Sequence, residues 1–298
     1  MAVPASAAWR GAVQVFKPRI ALEITLAGVA GVAITGGQGL PWWRLLTLAL
    51  AIFVAAGAAG ALNHLVETDL DARMTRTRER PFVTGALQAS PAWFLLVALL
   101  VAGAVALAGW TTNWLAAAFI FLGAFTYGVV YTIWLKRRTW LNIVIGGLAG
   151  SFAVLAGAAA VEPELGRTAW LFAAVLFLWT PPHFWSLATY YRDDYAAAGV
   201  PMLPVVYGER VAAWAIFGHT LPLVALSLLP VAWGEAGWFY ALCAGAGGAY
   251  FIWRAFLLLR RPSRSNAIRS FLSSLLQLGL LLLGAIGEGA WSGSLVAF

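Results

Sequence analysis

The sequence predicts an all-α, polytopic membrane protein in which nine transmembrane helices surround a central cavity that opens to the cytoplasmic side. Hydrophobic residues occupy 62% of its 298 positions and charged residues only 10%, a balance far outside that of water-soluble domains. The apolar residues fall into runs near 20 residues, the length that a helix needs to cross roughly 30 Å of hydrocarbon. We therefore expect a single intramembrane domain over residues 1–298, in contact with the lipid bilayer.

The predicted spans follow one another along the chain and are separated by polar links that contain proline or glycine. We place them at residues 20–38, 43–63, 91–109, 113–134, 141–160, 168–188, 212–233, 236–254 and 268–288. The links at 64–90 and 189–211 are long, and both fall on the same side of the membrane. Long connections on one side of a bundle are where a functional site is expected.

The distribution of basic residues predicts the orientation of the chain. With the N-terminus inside, all but two of the 19 lysines and arginines lie in cytoplasmic segments, and only Arg44 and Arg167 lie outside. This asymmetry follows the positive-inside rule. We expect a multi-pass protein of the cell membrane with a cytoplasmic N-terminus.

Charge and cysteine content exclude two classes of function. The net charge of +7 follows from membrane topology, and no basic face with aromatic platforms accompanies it, so no nucleic-acid partner is expected. A single cysteine, Cys243, lies in an apolar run. One cysteine cannot build a disulfide framework or a thiolate-ligated metal cluster.

Acidic and basic side chains gather in one stretch of this apolar chain, residues 61–81. If the stretch is helical, Asn63, Glu67 and Asp71 lie four residues apart on one face, within an arc of about 80°. Such oxygen ligands suit a hard cation such as Mg²⁺. The arginines that follow suit phosphate: Arg73, Arg76, Arg78 and Arg80. The pattern predicts a diphosphate carried by Mg²⁺, and the alternative is a charged loop whose acids only neutralise its arginines.

A second acidic pair, Asp193 and Asp194, follows the sixth span on the same side of the membrane. Both acidic segments can therefore meet at one cytoplasmic cavity. On a continuous helix Asp194 shares a stripe with His183 and Tyr190, and His183 would lie roughly 16 Å deeper. That geometry predicts a charged head at the acids and a large apolar acceptor near the imidazole, with Trp185 as a cavity wall.

Two of these features have simpler interpretations that the residues leave open. His183 follows Pro181 and Pro182, and its imidazole could satisfy backbone carbonyls that the prolines leave free. The basic residues 136–138 end the fourth span, and they could act only as a topology signal or could reach the diphosphate.

Five stretches of the chain carry a resemblance to a known family. They are KPRI at 17–20, the motif at 63–81, LKRRTWLNIVIGG at 135–147, PPHFW at 181–185 and DDYAAAGVPMLPVVYG at 193–208. With them the sequence resembles the intramembrane prenyltransferase superfamily that includes the 4-hydroxybenzoate polyprenyltransferases, and within it the heme-modifying branch. The first motif of that superfamily is N-x-x-x-D-x-x-x-D, so Glu67 is a departure that preserves the carboxylate.

The resemblance implies transfer of a farnesyl group from farnesyl diphosphate to the vinyl group of heme B, giving heme O, the precursor of heme A. It implies Mg²⁺ as cofactor and a heme A synthase as a candidate partner. The implied metal ligands are Asn63, Glu67, Asp71, Asp193 and Asp194. All of these except Asp193 form the implied catalytic set. The implied substrate-binding residues are Lys17, Arg73, Arg80, Lys136, Arg137, His183, Trp185, Tyr190 and Asp193.

Three other functions compete with this interpretation. A prenyltransferase of the same superfamily could use a quinone precursor or another macrocycle as acceptor. A transporter could also place acids near one face, although no chain of carboxylates crosses the predicted bilayer. A heme-handling assembly factor would keep the histidines but would need no paired acidic motifs.

Overall fold

The computed structural model describes residues 11–36 and 39–297, and long helices dominate them. The helices are α1 (Pro18–Ile34), α2 (Trp42–Val66), α3 (Pro91–Thr111), α4 (Trp114–Leu135), α5 (Asn142–Val161), α6 (Arg167–Tyr190), α7 (Gly208–Ala232), α8 (Trp238–Arg260) and α9 (Arg264–Ser292). Eight of those described, α2 to α9, are long and apolar enough to cross a membrane, and α1 has 17 residues. The predicted all-α membrane fold is confirmed.

The helices form a closed ring in chain order. Each helix packs beside the next one, and α9 returns to pack against α1. The most extensive of the remaining contacts, of α1 with α5 and of α6 with α9, cross the ring. A two-residue parallel pairing of Leu40–Pro41 with Val296–Ala297 also ties the α1–α2 link to the end of the chain.

The contact between α1 and α5 depends on small residues. A Cβ atom at Gly157 would lie 1.8 Å from the carbonyl oxygen of Gly28, and one at Gly31 would lie 2.1 Å from that of Val154. No side chain fits at such distances, so the glycines allow the two backbones to touch, as is common between membrane helices. The helices are thereby held together below the polar end of the bundle.

The two long links contain short helices and pack on each other. Thr68–Asp71 and Pro81–Thr84 follow α2, and Arg192–Ala197 and Leu203–Val206 follow α6. Leu70 and Met74 of the first link share an apolar cluster with residues of the second. The expectation that segments distant in sequence meet at one end of the bundle is confirmed.

One expected feature of α6 is wrong. The helix ends at Tyr190, Tyr191 leaves the helical conformation, and a new helix begins at Arg192. The projected depth of 16 Å requires one continuous helix and therefore does not apply. His183 lies seven residues before Tyr190, the last residue of α6, and is therefore about 10 Å from that end of the helix.

Candidate active site

A cavity of about 1210 Å³ lies inside the ring of helices. This volume exceeds the roughly 300–1,000 Å³ of pockets that enclose one drug-sized ligand. Polar side chains line the end next to the two long links, among them Lys17, Asn63, Arg80 and Lys136. Mostly aliphatic and aromatic side chains line the rest, together with Glu23, Thr180 and His183. The cavity thus combines a charged mouth with an apolar interior, which suits a molecule with an anionic head and a hydrocarbon tail.

The motif residues share one face of α2 and its extension, as predicted. The helix changes direction at Glu67, but Glu67 N–H still donates to Asn63 O at 3.2 Å and Asp71 N–H to Glu67 O at 2.8 Å. Because these bonds keep the four-residue spacing, the three side chains stay in phase. All three are buried, with Glu67 only 1% exposed. Asn63 lines the cavity, whereas Glu67 and Asp71 do not line it but pair with Lys136 and Arg80, which do.

Each buried motif residue contacts a cation. Lys136 Nζ lies 2.5 Å from Glu67 Oε2, and Arg80 Nη1 lies 2.6 Å from Asp71 Oδ2. Lys17 Nζ donates to Asn63 Oδ1 at 2.5 Å. Buried charges need such partners, because removing a charge from water without one costs several kcal/mol. The basic residues 17, 80 and 136 are therefore part of the site, and the simple topology role for 136 is insufficient.

The position of Lys17 has a conformational basis. Its φ is 48°, a left-handed value that no other described non-glycine residue adopts. Such strain is concentrated at functional sites. The aliphatic part of Lys17 packs on α2 beside Gly60, where a Cβ would be in ordinary contact at 3.4 Å. The ammonium group thereby reaches Asn63 and also donates to Tyr127 Oη at 3.1 Å.

Two cations that line the cavity have neutral partners. Lys17 bonds only to an amide and a phenol, and Arg76 stacks on the Tyr191 ring at 5.5 Å. Neither lies within ion-pair distance of a carboxylate in the described residues. Burial, and next the charge of Arg80, lower the pKa of Lys17 well below its usual value. These groups can accept an anion at the mouth of the cavity.

The second half of α4 is π-helical, from Thr126 to Leu135, and it shapes the charged mouth. On an α-helix, nine residues would place Lys136 about 180° from Tyr127, on the opposite face. The wider turn of a π-helix, with bonds from i to i+5, brings Tyr127, Tyr131 and Lys136 to the same cavity. Sequence reasoning missed both tyrosines, because no residue pattern distinguished this π-helix from an α-helix.

Arg137 and Arg73 lie outside the cavity lining. Arg137 forms a bidentate pair with Asp69, both N–O distances being 2.7 Å, and both side chains are largely exposed. This pair lowers the pKa of Asp69 through the hydrogen bond from Arg137. Arg73 is exposed, and its side chain has no hydrogen bond or ion pair in the described structure. The expected contact of these two arginines with a substrate therefore has no geometric support.

The second acidic pair also differs from expectation. Asp193 is exposed and pairs with Arg264. Asp194 accepts hydrogen bonds from Thr75 Oγ1 at 3.1 Å and from the backbone N–H of Arg76 at 3.4 Å. In the described chain no three histidine, cysteine or acidic side chains converge on one point. Asp194 thus joins the two links, and neither acid of the pair lines the cavity.

His183 lines the deeper part of the cavity, as expected. Its Nδ1 atom lies 2.7 Å from Ser274 Oγ on α9, and Trp179 stacks on the imidazole with ring centroids 4.1 Å apart. Leu187, one turn further along α6, also lines the cavity. The apolar walls and one polar ring edge provide a place for a large aromatic acceptor.

Trp185 and Tyr190 do not line the cavity. Trp185 lies two residues from His183, about 200° around α6, and its ring packs among residues of α7, α8 and α9. It meets the His219 ring edge-on at 5.1 Å. Tyr190 packs against the same cluster at the last turn of α6. The expectation that Trp185 forms a cavity wall is wrong for this geometric reason.

The motif can accommodate a divalent cation. Glu67 Oε1 is buried and has no hydrogen-bond partner, although its other oxygen is paired with Lys136. An orphaned buried carboxylate oxygen is a ligand position for a hard cation. Mg²⁺ commonly takes one or two carboxylates and completes its coordination with substrate phosphates and water. Glu67 Oε1 therefore fits such a cation, and Asn63 and Asp71 lie on the same helix face as further oxygen ligands.

Comparison with known proteins gives consistent similarities. The UbiA prenyltransferase family matches residues 24–281. Protoheme IX farnesyltransferase 2 of Paramagnetospirillum magneticum is 52% identical over 94% of this chain and 96% of its own. A solved digeranylgeranylglyceryl phosphate synthase superposes with a TM-score of 0.75 at 17% identity, covering 94% of this chain and 99% of its own. A UbiA homologue from Archaeoglobus fulgidus, solved with DMAPP and Mg²⁺, superposes with a TM-score of 0.70 at 16% identity. The match covers 90% of this chain and 98% of the homologue.

Proposed function

The chain belongs to the UbiA prenyltransferase family, and from this premise we propose that it transfers a farnesyl group from farnesyl diphosphate to a vinyl group of heme B. The product is heme O, and the reaction is a step of heme A biosynthesis. The observation that carries the proposal is the cavity, which joins a cationic mouth to an apolar interior that contains His183. The 52% identical relative is named for this activity.

The mouth of the cavity binds the diphosphate. Lys17 and Arg76 line it without carboxylate partners, so an anion gains charge-assisted hydrogen bonds there without first breaking an ion pair. Lys136 and Arg80 stand beside them and already hold Glu67 and Asp71. Together these groups offset the negative charge that develops on the leaving diphosphate, and this lowers the barrier to ionisation.

Asn63, Glu67 and Asp71 would hold Mg²⁺ at the same place. When bound, the metal supplies further neutralisation of the leaving group. The chain prepares this position by burying Glu67 while leaving its Oε1 atom without a partner. Lys136 keeps the other Glu67 oxygen in place.

The bond changes balance without a covalent enzyme intermediate. The C1–O bond of farnesyl diphosphate breaks, the electron pair leaves with the diphosphate, and an allylic cation remains. The terminal vinyl carbon of heme B attacks C1 and forms the new C–C bond. Water then adds to the resulting cation and loses a proton, which gives the hydroxyfarnesylethyl side chain. The apolar walls keep other water away from the first cation.

The setting of the enzyme is proposed from the sequence. The distribution of lysine and arginine supports a cytoplasmic N-terminus in the cell membrane. All 298 residues would form one intramembrane domain. The heme product is strongly apolar, and direct transfer to a heme A synthase would avoid its release into water.

The test is a comparison of acceptors. Purified protein in detergent is given Mg²⁺ and farnesyl diphosphate with either heme B or a phenolic quinone precursor, and the extracted products are analysed by mass. Conversion of heme B to a species heavier by one farnesyl group plus one hydroxyl group is the expected result. Prenylation of the phenol with unchanged heme B would assign the chain to another acceptor class of the same family.

A further inference from the structure

The hydrogen bonds around Ser274 determine which nitrogen of His183 carries a proton. A serine hydroxyl has one proton to donate. Ser274 Oγ lies 2.6 Å from the carbonyl oxygen of Phe271, which can only accept, so the hydroxyl donates there. The lone pair of Oγ faces His183 Nδ1 at 2.7 Å. Nδ1 must therefore carry the proton, and Nε2 of the neutral imidazole keeps its lone pair.

The lone pair of Nε2 is open to the cavity. Within the described structure this atom has no hydrogen-bond partner, and protein atoms do not enclose it, in contrast to His64 Nδ1 on α2. His183 lines the cavity, so the open edge of the ring faces that space. An imidazole nitrogen that is unprotonated and accessible can bind a metal, and here it faces an apolar cavity.

The ring is also held in one orientation. Trp179 and Phe271 stack on the imidazole, with centroid distances of 4.1 and 4.6 Å. Trp179 Nε1 donates to the backbone oxygen of Ser274 at 3.0 Å, so one residue of α9 fixes both rings. Phe184 meets the same ring in a T-shaped contact at 5.6 Å. These three aromatic contacts hold the plane of the imidazole, and axial ligation of a heme iron uses the ring edge that carries Nε2.

The helix break does not account for His183. The two prolines remove backbone donors from α6, but His183 makes no hydrogen bond to a backbone carbonyl. The hydroxyl of Ser186 bonds instead to the carbonyl of Pro182 at 2.6 Å. The simpler alternative, in which the imidazole repairs the helix, is therefore not supported by the hydrogen bonds.

We infer that His183 binds the iron of the heme acceptor through Nε2, and that Ser274 is the positioning residue that holds the required tautomer. The inference rests on the proposed function for the identity of the acceptor. Iron ligation would explain why the enzyme selects its acceptor, because it would add binding energy for a metalloporphyrin and none for a phenol. The diphosphate site at the mouth is separate from this anchor.

The test measures binding of heme B and of iron-free protoporphyrin IX to the purified protein by absorption spectroscopy. His183→Ala should abolish the axial-ligand signature of bound heme, and added imidazole should restore it. Ser274→Ala should weaken heme binding by roughly 10-fold to 100-fold, the usual effect of losing a residue that orients a metal ligand. Iron-free porphyrin should bind equally to both variants and to the unmodified chain.

Two further variants exclude a merely structural effect. Ser274→Thr keeps the hydroxyl and should bind heme as the unmodified chain does. Ser273→Ala removes a buried serine of the same helix whose hydroxyl donates to the backbone of Ser270, and it should leave heme binding unchanged. Equal heme spectra in the unmodified chain and His183→Ala, with farnesylation of heme intact, would overturn the inference and leave the proposed function standing. Absence of heme farnesylation by the unmodified chain would overturn both.

Discussion

Replacing Lys136 by methionine should destabilise the protein far more than the same change at the adjacent Arg137. Lys136 pairs with Glu67, whose side chain is 1% exposed, and the Lys136 side chain itself is 12% exposed. Loss of one partner from a buried pair leaves an uncompensated charge and costs about 3–5 kcal/mol. Arg137 pairs with Asp69 at the surface, where both side chains are over 40% exposed and a pair contributes about 0–1 kcal/mol.

The assay is thermal unfolding of the purified variants in one detergent, with the double variant Lys136→Met and Glu67→Gln included. Removing both charges should recover most of the stability, because a buried pair replaced as a whole is often nearly neutral. Equal losses for the Lys136 and Arg137 variants would refute the difference in burial on which the prediction depends. A double variant no more stable than Lys136→Met would refute the pairing with Glu67.

Two other predictions concern helix contact and substrate binding. Gly157→Ala should cost about 3 kcal/mol or more, because its Cβ would overlap the carbonyl oxygen of Gly28, and Gly166→Ala, with open space around it, is the control in the same unfolding assay. Lys17→Ala should weaken binding of a non-reactive farnesyl diphosphate analogue by roughly 10-fold to 100-fold, the equivalent of one charge-assisted hydrogen bond of about 1.5–3 kcal/mol. Arg137→Ala should leave this affinity unchanged, and a similar loss in both variants would contradict the placement of Arg137 outside the cavity.

The fold follows from the sequence because the bilayer imposes the length and composition of each span. Even so, the ends of the helices differ by several residues: α9 was predicted at 268–288 and runs from Arg264 to Ser292. Hydropathy marks the buried length of a helix, but capping determines its ends. Here Ser263 accepts a hydrogen bond from the backbone N–H of Asn266, which starts α9 before its apolar run begins.

The relative positions of site residues could be predicted from the sequence where the helical repeat continues from one residue to the next. Asn63, Glu67 and Asp71 stay in phase because their backbone bonds continue through the bend at Glu67. The place of Asp194 could not be predicted in this way, because Asp194 bonds to the first link and does not line the cavity, although four-residue backbone bonds also continue past Tyr191. Lys17 was expected only from the resemblance, since its role depends on a left-handed φ that the sequence does not reveal.

The most direct test of the account compares two Asp→Asn substitutions two residues apart in the same stretch. Asp71 is buried and pairs with Arg80, which lines the cavity, whereas Asp69 is exposed and pairs with Arg137, which does not. With heme B, farnesyl diphosphate and Mg²⁺, Asp71→Asn should lose most of the turnover and Asp69→Asn should retain it. Equal turnover in the two variants would contradict the claim that the buried motif carboxylates take part in the reaction.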